Sequence, residues 1–435
     1  MAIWGLCKID DQLRAARWPF TRLVVASFVC LFSVGIVYRI IDGFAVGDLV
    51  KKDADAKLQL TELLGPNLSD SENAWIAYLA VTSLPSPSEI PEVNWDGNES
   101  KKGLPASDPA VAEFANRIRD TVVHIRSASA ISLCQIHDKA LPMGSLSSYG
   151  LGGRPFNGEV ATWRDVLQFD ANLQASRQRI GEALLDIQAL LQLSKHLAQD
   201  RTVIALINSH ACEHAAIQVI HSLLANHHLS SGDLEQLFQQ LSCNRRQILA
   251  ETLQREDLDM RRDVVTYYLP PTQNKSWDTA TLKTNLGRVF FAPYEFQVLD
   301  RTRPFRTTSS DDSLASLLDS AEYRHRSWYE LQAGYLDSFP SCHGNAIFGL
   351  IDDAVHMESK CRQTQVAISA SLFALKERRF PDSLEELQAF APSLNAVDPV
   401  SEKPFQLIPD GSRLIICEGL GRSISAEKIT LGFYP

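Results

Sequence analysis

Hydrophobic and polar positions change rhythm several times along the 435 residues. From Leu23 to Tyr38 the chain reads LVVASFVCLFSVGIVY, without a single charged side chain. Extended through Arg39, Ile40 and Ile41, the stretch makes roughly 28 Å of helix, close to the thickness of a bilayer core. The pattern predicts a membrane helix over 23–41, with no comparable apolar run elsewhere for it to pack against. The run starts late, at Leu23, and no small-x-small cleavage site follows Tyr38, so an uncleaved signal anchor is expected rather than a removed signal peptide. Beyond it, Val46 to Leu64 keeps helical spacing with charges on one side, which predicts a stalk helix stopped by Gly65-Pro66. Residues 71–82 predict a second short helix, and the five prolines of 83–109 predict irregular chain. Asp108-Pro109 then reads as an N-cap followed by proline at the first helical position, opening a helix to Ser129. Residues 139–158, rich in Gly, Ser and Pro, read as a loop.

From Trp163 to Tyr268 apolar residues recur every three or four positions. One series is Ile180, Leu184, Ile187, Leu190 and Leu191; a second is Val203, Leu206, Ile207, Ala211, Ile217, Ile220 and Leu224. Breaks fall at Gln199-Asp200 and at Leu229–Asp233, where Ser231 is expected to cap the next helix. Helices of this length joined by short turns lie antiparallel, so an α-hairpin bundle of tetratricopeptide-like character is expected, although a clean 34-residue period is not found. Residues 269–310 read as irregular, 311–334 as helix, and 345–378 as a long helix. The tail alternates instead: a short helix at Pro381–Phe390, then strands at 404–408, 413–417 and 428–434, the first two joined by a turn at Pro409-Asp410-Gly411.

The expected fold is therefore mainly α: an N-terminal transmembrane helix, an antiparallel α-hairpin bundle and a small C-terminal α+β module with a two- or three-stranded antiparallel sheet. The expected divisions are 1–22 as a cytoplasmic N-terminus, 23–41 in the membrane, 42–160 as stalk and irregular segment, 161–378 as the hairpin domain and 379–435 as the tail.

Charge sharpens this picture. The net formal charge is −10, but residues 1–41 carry +3 (Lys8, Arg14, Arg17, Arg22 and Arg39 against Asp10 and Asp11), leaving −13 for the rest. An acidic body of this size is a poor partner for nucleic acid. Lys8, Arg14, Arg17 and Arg22 flank the apolar run on its N-terminal side, against Arg39, Lys51 and Lys52 on the other. That bias places the N-terminus in the cytoplasm by the positive-inside rule. The bulk of the chain is then periplasmic, on the outer side of the cytoplasmic membrane. Cys134, Cys212, Cys243, Cys342, Cys361 and Cys417 fall in that part at wide spacings without a C-x-x-C pair; their even number permits disulfides, but free buried thiols are expected.

The tail motifs Arg379-Phe380-Pro381, Leu384, Leu387, Asp398-Pro399 and Pro404-Phe405 resemble the C-terminal module of uncharacterised, membrane-anchored proteins of planctomycete-type bacteria. Ala183–Leu197 and Ser231–Leu241 are similar to the helical part of the same proteins. The resemblance implies architecture and location and no activity. The tail is also similar to the globular end of type II secretion pseudopilins, which implies a local fold and, with it, an accessory role in a secretion or pseudopilus-like assembly. Pseudopilins carry a Gly-Phe-Thr-Leu-Ile-Glu type processing site before their membrane helix; here Trp18-Pro19-Phe20-Thr21-Arg22 stands in that place and Gly43-Phe44 follows the helix.

The sharpest chemical motif is His210-Ala211-Cys212-Glu213-His214, an H-x-x-E-H. Two histidines four residues apart on a helix share one side and can ligate zinc, with Glu213 activating a metal-bound water as in a hydrolase. His221 falls on nearly the same face, Cys212 is a further donor, and Glu295 is the nearest convenient acid well downstream. Helix 202–226 already commits its apolar face to packing, so structural histidines are the preferred reading, with neither cofactor nor catalysis assigned. His227-His228 suit a helix C-terminus. Ser341-Cys342-His343-Gly344 offers a thiol beside an imidazole, and Gly150–Arg154 lacks the strand before and helix after that a phosphate loop needs. The mixed-charge run Arg245–Arg262 reads as a solvated helix face with i,i+4 pairs such as Glu251–Arg255; in a concave groove, Glu251, Arg255 and Glu256 would line it. A membrane-anchored helical protein engaging a protein partner is the functional expectation.

Overall fold

A computed structural model describes residues 19–81, 84–94, 104–137, 156–241, 245–268, 342–410, 413–417 and 428–432. The chain divides into two compact units, Met1–Leu58 with Arg261–Arg301, and Gln59–Met260 with Thr302–Pro435. The expected helix at 311–334, the Gly150–Arg154 turn and Glu295 lie outside the described residues.

The first helix, α1, runs from Pro19 to Leu64 without a break. The expected membrane helix and stalk are thus one rod: Gly43 and Gly47, between them, lower helix propensity but leave the hydrogen-bond ladder whole. It ends at Gly65, whose φ of 67° only glycine adopts without strain. In the first unit Phe28, Leu31, Phe32, Val34 and Val37 are all exposed. Further along, Leu49 and Ala56 are buried, Asp48–Lys52 and Asp53–Lys57 pair one turn apart, and Asp53 also meets Arg262 at 3.5 Å.

The second unit is a helical body. Helices α2 (Ala74–Leu79) and α3 (Pro109–Ser129) pack on each other, and a two-residue parallel pair, β1 (Val93–Asn94) with β2 (Leu104–Pro105), lies between them in sequence. Asp108 caps α3 as its spacing predicts, its carboxylate accepting from Ala110 N at 2.8 Å. Helices α4 (Phe156–Ser176), α5 (Ile180–Gln199) and α6 (Val203–Asn226) follow through short turns and pack in succession. Helix α7 (Ser231–Gln240) is capped by Ser230 rather than Ser231, because Asp233 reaches back to the Ser230 backbone while Ser230 Oγ accepts from Asp233 N. Helix α8 spans Arg245–Tyr268. The long α9 (Cys342–Glu377) returns against α6 and α7.

The core of the body centres on α2, α4, α5 and α6. Trp75 meets Trp163 edge-on at 5.4 Å, Tyr78 stacks on Trp163 at 5.1 Å, and Leu190, Leu193, Ile220 and Leu223 are fully enclosed. Three helix ends carry a side chain in the left-handed region, Gln178 after α4, Arg201 after α5 and Arg378 after α9, at φ of 59°, 58° and 57°; Glu402 in the tail does so at 56°.

The tail begins with α10 (Leu384–Phe390), capped by Ser383. Strands β3 (Gln406–Asp410), β4 (Arg413–Cys417) and β5 (Lys428–Gly432) form one antiparallel sheet in that order. Pro409 and Asp410, expected in the turn, instead pair with Leu414 and Arg413; proline is accepted because β3 is an edge strand. Leu414, Ile416, Ile429 and Leu431 face inward, and β4 and β5 lie against α9. Asp398 fixes the approach: its carboxylate accepts from Ser359 Oγ of α9 at 2.7 Å and from the Val400 and Ser401 amides.

Candidate functional site

The residues of the H-x-x-E-H motif all lie on α6, which is held at its start by Thr202 Oγ1 accepting from Ala205 N at 3.2 Å. His210 and Glu213 are buried, and both line a cavity between α5, α6, α7 and α8. Glu213 is bound by Arg245, which opens α8. The same guanidinium donates to Glu358 at 2.8 Å and to the Cys361 sulfur at 2.8 Å, both on α9. Cys361 in turn donates to Glu213 at 3.4 Å, and Arg362 holds the other oxygen of Glu358 at 2.8 Å. One arginine thus ties three helices together through two carboxylates and a thiol.

The other members of the motif are turned to different partners. His214 Nε2 meets Gln218 at 3.0 Å and its Nδ1 meets Lys360 Nζ at 3.4 Å, a cation where a metal ligand would need none. His221 Nε2 bonds Thr364 Oγ1 at 2.8 Å. Cys212 is fully buried, and that burial is the main cause pushing its thiol up to about 12, where it holds no thiolate at neutral pH. Among the described residues no group of three or more His, Cys, Asp or Glu is arranged to hold a metal ion. Burial, reinforced by the nearby Arg245 charge, pulls the His210 imidazole down to about 3, so it is neutral across the physiological range. Cys134, Cys212, Cys361 and Cys417 are buried and unbonded to one another; Cys342 opens α9, and Cys243 lies outside the described residues. His227 caps the end of α6, but burial lowers its pKa and opposes the charged form that the helix dipole favours.

The larger correction concerns Arg245–Arg262. Five of its charges are not solvated: Arg245, Arg255, Glu256, Asp259 and Arg262 are each 8% exposed or less. Glu251 accepts from Arg201 at 2.5 Å and from Gln247 at 2.7 Å. Arg255 donates to the Asp200 carbonyl and lies 3.4 Å from Asp259, while Glu256 accepts from Val203 N at 3.0 Å and so satisfies an orphan amide of α6. Within the body, α8 is docked through its charges onto the bend between α5 and α6. Thus Glu251, Arg255 and Glu256 do not line an open groove; they are occupied inside the body.

That bend is itself a polar knot. Asp200 accepts from His137 Nδ1 at 2.7 Å, from His137 N at 3.2 Å and from Thr202 Oγ1 at 3.0 Å. Burial alone would raise its pKa, but His137, Arg255 and Thr202 overcome that and bring it down to about 2. A third cluster joins α3 to α4 and α5, where Arg126 binds Asp186 at 2.7 Å, Glu182 at 2.7 Å and Asp170 at 3.5 Å. Sequence motifs do not single out Arg245, Asp200 or Arg126 for these roles. One signal was available for α8: Arg245, Leu249, Thr252, Glu256 and Asp259 are spaced by four and three, so its charges share the face of its buried leucine.

Comparison with family profiles, with curated proteins and with solved structures returned no match.

Proposed function

We propose that this protein is a single-pass membrane protein whose helical body serves as an interaction scaffold. The observation that carries the reading is the exposed apolar face of α1 about Phe28, Leu31 and Phe32, on a helix long and apolar enough to cross a bilayer. Exposing such side chains to water is unfavourable by ~1.5–3 kcal/mol each, and lipid removes that penalty. In this reading the basic N-terminus stays in the cytoplasm and the acidic body lies on the periplasmic side of the cytoplasmic membrane, engaging another protein over its hairpin surfaces in the manner of tetratricopeptide-type arrays. The engagement of Glu213 with Arg245 and of His214 with Lys360 supports a structural duty for these residues over hydrolysis. The three-stranded sheet on α9 favours a second reading, an accessory part of a secretion or pseudopilus-like assembly.

Alkaline carbonate extraction of membranes, followed by protease treatment of intact spheroplasts, tests the placement. The full chain should stay in the pellet, with its body digested from outside. Recovery in the soluble fraction, or digestion only after lysis, overturns it. Metal analysis tests the chemistry: stoichiometric zinc that is lost in the His210→Ala, His214→Ala variant would replace the scaffold with a hydrolase.

A further inference from the structure

Beneath the first turn of α8 lies a cavity of about 40 Å3, whose polar walls include Ser194, Ser209, His210, Glu213, Gln240 and Arg245 beside four apolar side chains. That is room for about three water molecules. His210 Nδ1 and Gln240 Oε1, in its wall, are buried without a hydrogen-bond partner among the described residues. His210 is only 7% exposed. Its imidazole is neutral, so Nδ1 has one hydrogen bond to make. The serines fix the remaining polarity. Ser209 Oγ donates to the Ser194 carbonyl at 2.8 Å, so in the 2.9 Å contact between the two hydroxyls Ser194 is the donor. Both hydroxyl protons are thereby committed, and the free lone pairs of the serines can only accept.

We propose that this cavity is a hydration site, holding up to about three resident waters that link His210 Nδ1 to Gln240 Oε1. The walls argue against other occupants. An anion would look to Arg245, whose two terminal nitrogens already bind Glu213, Glu358 and Cys361; Lys195 also lines the cavity, but it would have to face Glu213 beside any anion. A cation would need Glu213, which Arg245 and Cys361 already engage. An apolar guest would leave both stranded atoms unpaired. Water alone supplies donors and acceptors in either order, and two to four polar partners are what a buried water requires. The waters would complete the polar packing where α8 closes on α5 and α6.

The test uses the wild-type full chain in detergent, so no variant has to fold. In a crystal structure fine enough to place ordered solvent, water density is expected within about 3.2 Å of His210 Nδ1 and of Gln240 Oε1. The same crystals under xenon pressure should take up no xenon there, since xenon enters dry apolar cavities. Xenon occupancy, an ion in place of water, or direct contact of His210 and Gln240 with the cavity closed would each overturn the proposal.

Discussion

Among the described residues two helices are long and apolar enough to cross a bilayer, and they differ sharply in burial. In α1 none of the most apolar window is buried; in α6 67% of it is. What separates the two is the polar minority each carries. Over Leu23–Tyr38 the polar side chains are two serines, a cysteine and a tyrosine, which a helix in lipid tolerates. Over α6 they include His210, Glu213, His214, Gln218 and His221, and Arg245, Lys360 and Thr364 supply partners from α8 and α9. Apolar length makes a helix insoluble by itself; the partners of its polar residues decide whether protein or lipid covers it.

Charge placed in each helix should break this contrast in different ways. Leu31→Arg with Phe32→Arg in α1 adds about 2.5–3.5 kcal/mol of insertion cost per arginine. The expected outcome is loss of the protein from the sedimented membrane fraction while the circular dichroism of the body is retained. Ile217→Arg in α6, where the side chain is 1% exposed, should do the reverse, unfolding the body while leaving the chain in the pellet.

Removing the arginine that holds Glu213 and Glu358 is the next largest effect. Arg245→Met leaves the buried Glu213 carboxylate without its arginine and removes one of the two arginines on Glu358. It should lower stability by about 3–5 kcal/mol in urea unfolding. Adding Glu213→Leu to Arg245→Met should recover a substantial part, because an apolar pair replaces the stranded charge. If the double variant is no better than the single one, the arginine acts through its contacts with Glu358 and Cys361 instead.

Acid probes the knot at the bend. Asp200 has a folded pKa near 2, below its ordinary value of about 3.9. Its contribution is therefore fully present above about pH 4 and is lost as pH falls through 2, an effect of roughly 2 kcal/mol. Unfolding measured between pH 5 and pH 2 should show a fall that Asp200→Asn flattens. The smallest effect belongs to the helix cap: Asp108→Ala removes the bond to Ala110 N and should cost about 1 kcal/mol.

Local chemistry was legible in the sequence where a residue acts on its immediate neighbours. Asp108-Pro109 opens α3, Gly65 stops α1, and β4 begins and ends where its alternation does. Partnerships across distance were not legible. The spacing of α8 looked like a solvated face because charge was read as exposure, whereas its arginines and glutamates reach a carboxylate of α6 and backbone groups at the bend before it. The partners of the H-x-x-E-H residues were out of reach for the same reason. Positions four apart on a helix share a face, but that spacing does not reveal the lysine opposite His214 or the arginine opposite Glu213.

The left-handed bends at Gln178 and Arg378 have a practical corollary. Both side chains are exposed, and each holds its backbone in a region that disfavours a Cβ by about 1–2 kcal/mol. Arg201 differs, since its guanidinium clasps Glu251 and the Ala198 carbonyl and so recoups what its backbone gives up. Glycine at the corners after α4 and α9 should therefore stabilise the protein, since it relieves that backbone cost where the side chain faces solvent.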